Sequence, residues 1–91
     1  MRTEEEAVAN AFRLYEVRRT VRSLLGENFK PKMAEFGKAI DAVCVGKKVD
    51  SMSAAILLAK AAQAEGRDME AMLFMAAVVE ATDPSPELAH G

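Results

Sequence analysis

MEAMLFMAAVVEA, residues 69–81, is the stretch of this chain that decides the fold. Nine consecutive apolar residues fill positions 71–79, and Glu70 and Glu80 stand only at the two ends of the run. A helix on the surface of a monomer carries a polar stripe along one side. Because this stretch lacks such a stripe, we expect it to form the buried spine of the fold or to be shared with a second chain.

Three further helices are indicated before this stretch. Thr3 and Glu6 fit a capping box that opens a long first helix, which ends where Gly26 can supply a left-handed cap. Pro31 suits the first turn of a second helix, because its missing N–H has no partner there in any case. Gly46 is the expected end of that second helix.

The remaining helix boundaries also follow from capping residues. Asp50 or Ser51 can cap a third helix that continues to Gly66. Asp68 can cap a fourth helix, which contains the apolar stretch and ends near Thr82, before the prolines that follow.

No alternating β-branched run and no Asn-Gly turn indicates a strand. Short connections between helices favour antiparallel neighbours. We therefore predict an all-α fold, a small four-helix bundle of antiparallel helices. A chain of 91 residues makes one domain; we assign residues 1–84 to a single helical domain and residues 85–91 to a flexible C-terminal tail.

The last two predicted helices, residues 51–84, carry small residues where the two would cross and a glycine where they would turn. The residues concerned are Leu58, Ala59, Gly66, Ala71 and Pro84. In these positions the segment resembles a single tetratricopeptide-like helical hairpin, although the large aromatic residue that this repeat family carries early in its first helix is missing. The resemblance implies binding of proteins or peptides rather than catalysis. An ordinary helical hairpin with a glycine turn would show the same residues.

Charge is unevenly distributed along the chain. The formal net charge of −2 divides into −2 for residues 1–12, +5 for residues 13–48 and −5 for residues 49–91. A basic front half and an acidic back half can complement each other within one fold, across a dimer, or towards differently charged partners.

A basic face of the first two helices is the predicted partner-binding surface. It comprises Arg18, Arg19, Arg22, Lys30 and Lys32. Such a cluster can dock an acidic protein or the phosphates of a nucleic acid. No aromatic residues are interleaved for base stacking, so the protein partner is favoured.

The fourth helix supplies the predicted residues for self-association or for the core. They are Met72, Phe74, Met75, Val78 and Val79. Methionine adapts to irregular surfaces, so these positions suit an interface as well as a core.

The chemistry of an enzyme is not indicated. The sequence has no His-plus-acid cluster, no metal-ligand spacing and no phosphate-cradling glycine loop. The single cysteine, Cys44, excludes an internal disulfide. We expect no cofactor, metal, small-molecule substrate or membrane span, and a cytoplasmic location.

These features together predict a non-enzymatic protein–protein interaction module. It would act as a small adaptor, a co-chaperone or a stoichiometric inhibitor of a larger protein machine, and it would also self-associate. Small inhibitors from phages and mobile elements have this general character. One alternative is a nucleic-acid-associated accessory protein that uses the basic face of the first helix. The other is a purely structural homodimer.

Overall fold

A computed structural model describes the backbone of residues 4–84 and the side chains of residues 13–84. Every regular element in the described part of the chain is helical, which confirms the all-α prediction. The capping box at Thr3 and the tail at residues 85–91 lie outside the described residues.

Helical elements follow one another with short connections. In chain order they are α1 (Glu4–Leu25), a 3-10 turn (Gly26–Asn28), α2 (Phe29–Lys47), α3 (Ser51–Ala64) and α4 (Asp68–Thr82). Helix α4 packs against α1, α2 and α3, and α2 also packs against α3. Within the described residues, the backbones of α1 and α3 do not approach each other closely.

Helix α4 is the buried spine of the fold, as the apolar stretch predicts. Five consecutive residues, Ala76 to Glu80, are all buried. Because five residues cover more than a full helical turn of 3.6 residues, this part of α4 is enclosed on every side. The enclosure comes from the helices of the same chain.

Side chains from the other helices complete the core around α4. Helix α1 contributes Val21, and α2 contributes Phe29, Met33 and Ile40, all of them buried. Helix α3 contributes chiefly alanines, which are Ala54, Ala55, Ala59 and Ala62. Small side chains allow two helix axes to approach closely.

Two predicted caps are confirmed. Gly26 has a φ of 55°, the left-handed conformation that glycine adopts without a steric penalty, and it ends α1. Asp50 caps α3, where its carboxylate accepts a hydrogen bond of 3.0 Å from the backbone N–H of Ser53.

The predicted end of α2 at Gly46 is wrong by one residue. The helix continues to Lys47, and Lys48 takes the left-handed conformation with a φ of 56°. In that conformation the backbone N–H of Lys48 donates to the carbonyl of Cys44, and the N–H of Val49 donates to the same carbonyl at 3.3 Å. The terminal hydrogen bond therefore determines where the helix ends, and the nearby glycine does not.

The predicted cap at Asp68 is also wrong. Helix α4 begins at Asp68, and the residue before it, Arg67, occupies the cap position without a side-chain hydrogen bond. The turn itself is the reason, because Gly66 has a φ of 77° and Arg67 donates its backbone N–H to Ala62 at 2.8 Å. Gly66 also donates to Gln63 at 2.9 Å, which completes a Schellman motif at the end of α3. The chain thus enters α4 directly from the motif that closes α3.

Candidate interaction surface

A groove lies between α1 and α3, because these two helices are held apart by α4. One cavity of about 320 Å³ opens along it, between Val17 of α1, Ile56 and Gln63 of α3, and Met72 and Met75 of α4. Apolar side chains form most of its wall. The groove is wide enough to receive side chains of another molecule and too open to enclose a small substrate.

A second cavity of about 150 Å³ lies at the other end of α3. Leu14 and Tyr15 of α1, Met52 of α3 and Val79 of α4 contribute to its wall, and Asp83 lies beside it. Met52 and Ile56 are one helical turn apart on α3. The two cavities therefore follow the same edge of α3, and α4 forms the floor of both.

The outward side of α3 continues this apolar surface. Met52, Ile56 and Leu57 are all exposed, with 38% of Ile56 and 45% of Leu57 accessible to solvent. Lys60 is the only charged residue among the 14 residues of the helix. Surface helices in soluble proteins normally present a charged or polar stripe to water, so α3 shows a face that lacks a partner. We call Met52, Ile56, Leu57 and Lys60 the α3 face.

The two ends of the surface differ in charge. Lys60 lies beside the larger cavity, and Asp83 lies beside the smaller one. Asp50 stands two residues before Met52, where the α3 face begins. Hydrogen bonds from the hydroxyl and the N–H of Ser53 hold the pKa of its carboxyl below the usual value of 3.8. One end of the groove therefore carries the ammonium of Lys60, and the other end carries the carboxylates of Asp50 and Asp83 with the Arg18 guanidinium beside Asp83.

The acidic end is closed by contacts between α1 and the end of α4. Tyr15 donates a hydrogen bond of 2.5 Å to the carboxylate of Asp83, and Arg18 donates to the backbone carbonyl of Asp83. That hydrogen bond to Asp83 is the main cause that raises the pKa of Tyr15 above 10.0. These contacts fix the wall that α1 contributes to the groove.

Part of the predicted basic face is used inside the chain. Glu80, with only 8% of its surface exposed, lies 3.5 Å from the guanidinium of Arg18 and 2.5 Å from the ammonium of Lys30. The side chain of Arg18 is largely buried, whereas half of Lys30 remains exposed. Glu80 thereby joins α1, α2 and α4 through one carboxylate.

The other members of the predicted basic face lie in different surroundings. The guanidinium of Arg22 stands 5.8 Å from the centre of the Phe29 ring, in cation–π geometry. Lys32 pairs with Glu35 one turn further along α2, at 3.7 Å. Arg19 is exposed. The structure brings Arg18 and Lys30 together around Glu80, and it does not gather all five residues into one open patch.

The predicted residues of helix four divide between the core and the groove. Val78 and Val79 are buried, and the Phe74 ring packs 4.7 Å from the ring of Phe36. Met72 and Met75 are half-buried and line the larger cavity. Phe74, Val78 and Val79 therefore pack in the core of a single chain, where Val78 and Val79 also form the base of the smaller cavity, and the two methionines face the larger one.

Two features were missed by the sequence reasoning. The first is Glu80, which is the centre of an ion-pair cluster. The sequence signal for it was a lone acid at the end of an apolar helix, in a chain with two arginines one turn apart. The α3 face was signalled by a single charge in 14 residues. Neither feature was predicted, because the prediction was based on the greater hydrophobicity of the fourth helix.

No family model matches this chain, and no curated protein or solved structure matches it. In the described part of the chain, no group of three or more His, Cys, Asp or Glu residues is placed to hold a metal ion. None of the helices in that part combines the length and the apolar character that crossing a membrane requires.

Proposed function

We propose that this chain is a non-enzymatic protein–protein interaction module, which binds an amphipathic helix of a partner protein in the groove between α1 and α3. The observation that carries the proposal is the apolar groove floored by Met72 and Met75 and continued by the α3 face. Such a surface suits a cytoplasmic adaptor, a co-chaperone or a stoichiometric inhibitor of a larger protein machine.

Recognition would follow the helix-in-groove mode. A partner helix inserts apolar side chains spaced three and four residues apart, and each cavity takes one or two of them. The methionines on the floor adjust to the shape of the inserted side chains. A helix about as long as α3, roughly 21 Å, spans both cavities.

Charge at the ends of the groove sets the orientation of the partner helix. Lys60 favours an acidic residue at one end, and Asp83 with Asp50 favours a basic residue at the other. We therefore propose an amphipathic helix with opposite charges at its two ends. Apolar contacts would supply most of the affinity, so binding should survive moderate salt.

The finer description of the fold belongs to the same proposal. We propose that the helices act as a small antiparallel four-helix bundle, in which α3 and α4 form a tetratricopeptide-like hairpin. The Schellman turn at Gly66 and the small residues along α3 support this reading. In it, the hairpin supplies one wall and the floor of the groove, and α1 supplies the opposite wall.

Nucleic-acid binding by the basic face of α1 is the weaker alternative. Phosphate binding needs several uncompensated cations on one surface. Arg18 and Lys30 are instead paired with Glu80, and Lys32 is paired with Glu35. The basic face of α1 therefore meets the electrostatic requirement of phosphate binding poorly. The groove, with a protein helix as its ligand, is the favoured site.

Site-directed photocrosslinking in cells of the source organism tests the proposal. A photoreactive residue at Gln63 lies in the groove, and one at Lys38, an exposed position on α2, is the matched control. We expect protein adducts from Gln63 and few from Lys38. Mass spectrometry of the adduct should locate the crosslink on an amphipathic helix with charged ends, and Ile56→Glu should abolish it.

Other adducts would contradict the proposal. Equal crosslinking from Gln63 and Lys38 would mean that the groove has no special role. Adducts that consist of nucleic acid and disappear at high salt would support the alternative at the basic face.

A further inference from the structure

We propose that the α3 face also binds the α3 face of a second copy of this chain, about a two-fold axis near Ile56. The homodimer would then cover the surface that the partner helix needs, so that self-association and partner binding exclude each other. The competition rests on the proposed function, whereas the dimer itself rests only on the α3 face.

Exposure of the face is the first observation. Met52, Ile56 and Leu57 form an apolar strip on a helix whose only charge is Lys60. Two small exposed residues, Ser53 and Ala61, lie beside this strip. Small side chains beside a short apolar strip allow two identical helices to pack closely, with the larger residues of one fitting between those of the other.

Charge complementarity is the second observation, and it selects a second copy as the occupant. In a two-fold arrangement the same patch meets itself in the opposite direction. With Ile56 at the axis, position 60 of one copy lies opposite position 52 of the other. Asp50 is about 3 Å further along that helix, within reach of a lysine side chain. Each Lys60 therefore meets the carboxylate that the other copy carries at the acidic end.

The ionisation state of Asp50 suits this pairing. Its carboxylate is exposed and is held in the charged form by Ser53. A salt bridge from Lys60 would approach an oxygen that is already oriented by the cap. A general partner helix must present a cation and an anion at the spacing of the groove ends, and α3 itself satisfies that requirement.

Dimerisation and partner binding use the same atoms. Met52 and Ile56 belong to the α3 face and also line the cavities of the groove. Lys60 is shared in the same way. A second copy seated on α3 therefore blocks the rim over which a partner helix would enter. The dimer would hold the module inactive until a partner of higher affinity or concentration displaces it.

Sedimentation equilibrium of the full chain tests the dimer directly. The apparent mass should rise with concentration from the monomer value of 9.9 kDa to twice that value. Ile56→Glu should raise the dissociation constant at least about tenfold, because it places two carboxylates together at the axis. The matched control is Val45→Glu, since Val45 is 79% exposed and lies on α2, outside the α3 face. Circular dichroism establishes that both variants remain helical.

A second measurement distinguishes loss of the dimer from a folding defect of the variant. In a Cys44→Ala background, Ile56→Cys places one thiol of each copy beside the axis, and Val45→Cys does not. We expect a short bismaleimide reagent to link the first variant into dimers far faster than the second. This readout requires no change of charge at the axis.

Each result has a defined meaning. A monomer mass at every concentration overturns the dimer, and so does a dimer that Ile56→Glu leaves intact or that Val45→Glu weakens equally. Groove photocrosslinks in a strictly monomeric protein would leave the proposed function standing alone. A dimer without any groove crosslink would overturn the proposed function and retain the α3 pairing.

Discussion

Helices α3 and α4 are neighbours in one hairpin, both are rich in apolar residues, and yet only α4 is enclosed. Residues 76–80 of α4 are buried in succession, whereas α3 buries its alanines and exposes Met52, Ile56 and Leu57. The difference lies in their neighbours. Helix α4 packs against three helices and α3 against two, with α1 held away from it. An apolar helix is thus a core element or an interface according to its place in the fold.

The largest predicted effect separates these two roles. Val78→Asp places an unpaired carboxylate in the core and should cost about 4–5 kcal/mol, which is nearly all of the stability of a chain of this size. Ile56→Asp should change the free energy of unfolding of the monomer by about 0.5 kcal/mol, because the side chain is already partly in water.

Urea unfolding followed by circular dichroism measures both variants, at a protein concentration low enough to keep the chain monomeric. The comparison fails if Ile56→Asp unfolds the chain as thoroughly as Val78→Asp. In that case the outward side of α3 would belong to the core, and the α3 face could not serve as a docking surface.

An intermediate effect is expected at the one charge that α4 buries. Glu80→Gln keeps the shape of the side chain and removes the counter-charge of Arg18 and Lys30. Because Arg18 is largely buried, the variant should lose about 2–3 kcal/mol of stability. The matched control is Glu35→Gln at the exposed pair with Lys32, for which we expect about 0.3 kcal/mol.

High salt sharpens this second test. The exposed pair at Glu35 is screened by added salt, whereas the buried carboxylate of Glu80 is screened much less. Denaturant titrations at low and high ionic strength should therefore retain the loss caused by Glu80→Gln. A loss that disappears in salt would show that Glu80 acts as a surface charge and does not join the three helices.

Sequence reasoning succeeded where local chemistry decides the structure. The apolar run predicted the buried helix, and Gly26 and Asp50 predicted caps that depend only on neighbouring residues. It failed at Gly46 and Asp68, where a residue of the right type was present and the hydrogen bonds at the helix end required a boundary one residue away. A cap preference is a local tendency, and the geometry of the turn overrides it.

The candidate site was less accessible to sequence reasoning for a different reason. Whether Val78 or Ile56 faces another chain depends on which helices surround each of them, and composition is the same for a core and an interface. The five basic residues looked like one surface because Glu80, which pairs with Arg18 and Lys30, lies 62 and 50 positions away from them in sequence. Long-range pairing of this kind leaves no periodicity to detect.

The smallest predicted effect compares how the two helices begin. Asp50 caps α3 through the N–H of Ser53, so Asp50→Ala should lower the Tm by about 4–8 °C. Asp68 makes no cap and only lies in the first turn of α4, so Asp68→Ala should lower the Tm by about 1–2 °C. Since the folded-state pKa of Asp50 lies below 3.8, its contribution is present above that pH and is lost as the pH falls through the folded pKa. Thermal denaturation at neutral and at strongly acidic pH measures the difference in Tm between the wild type and Asp50→Ala. We expect this difference to disappear in acid. A difference that stays constant would mean that the carboxylate does not cap α3.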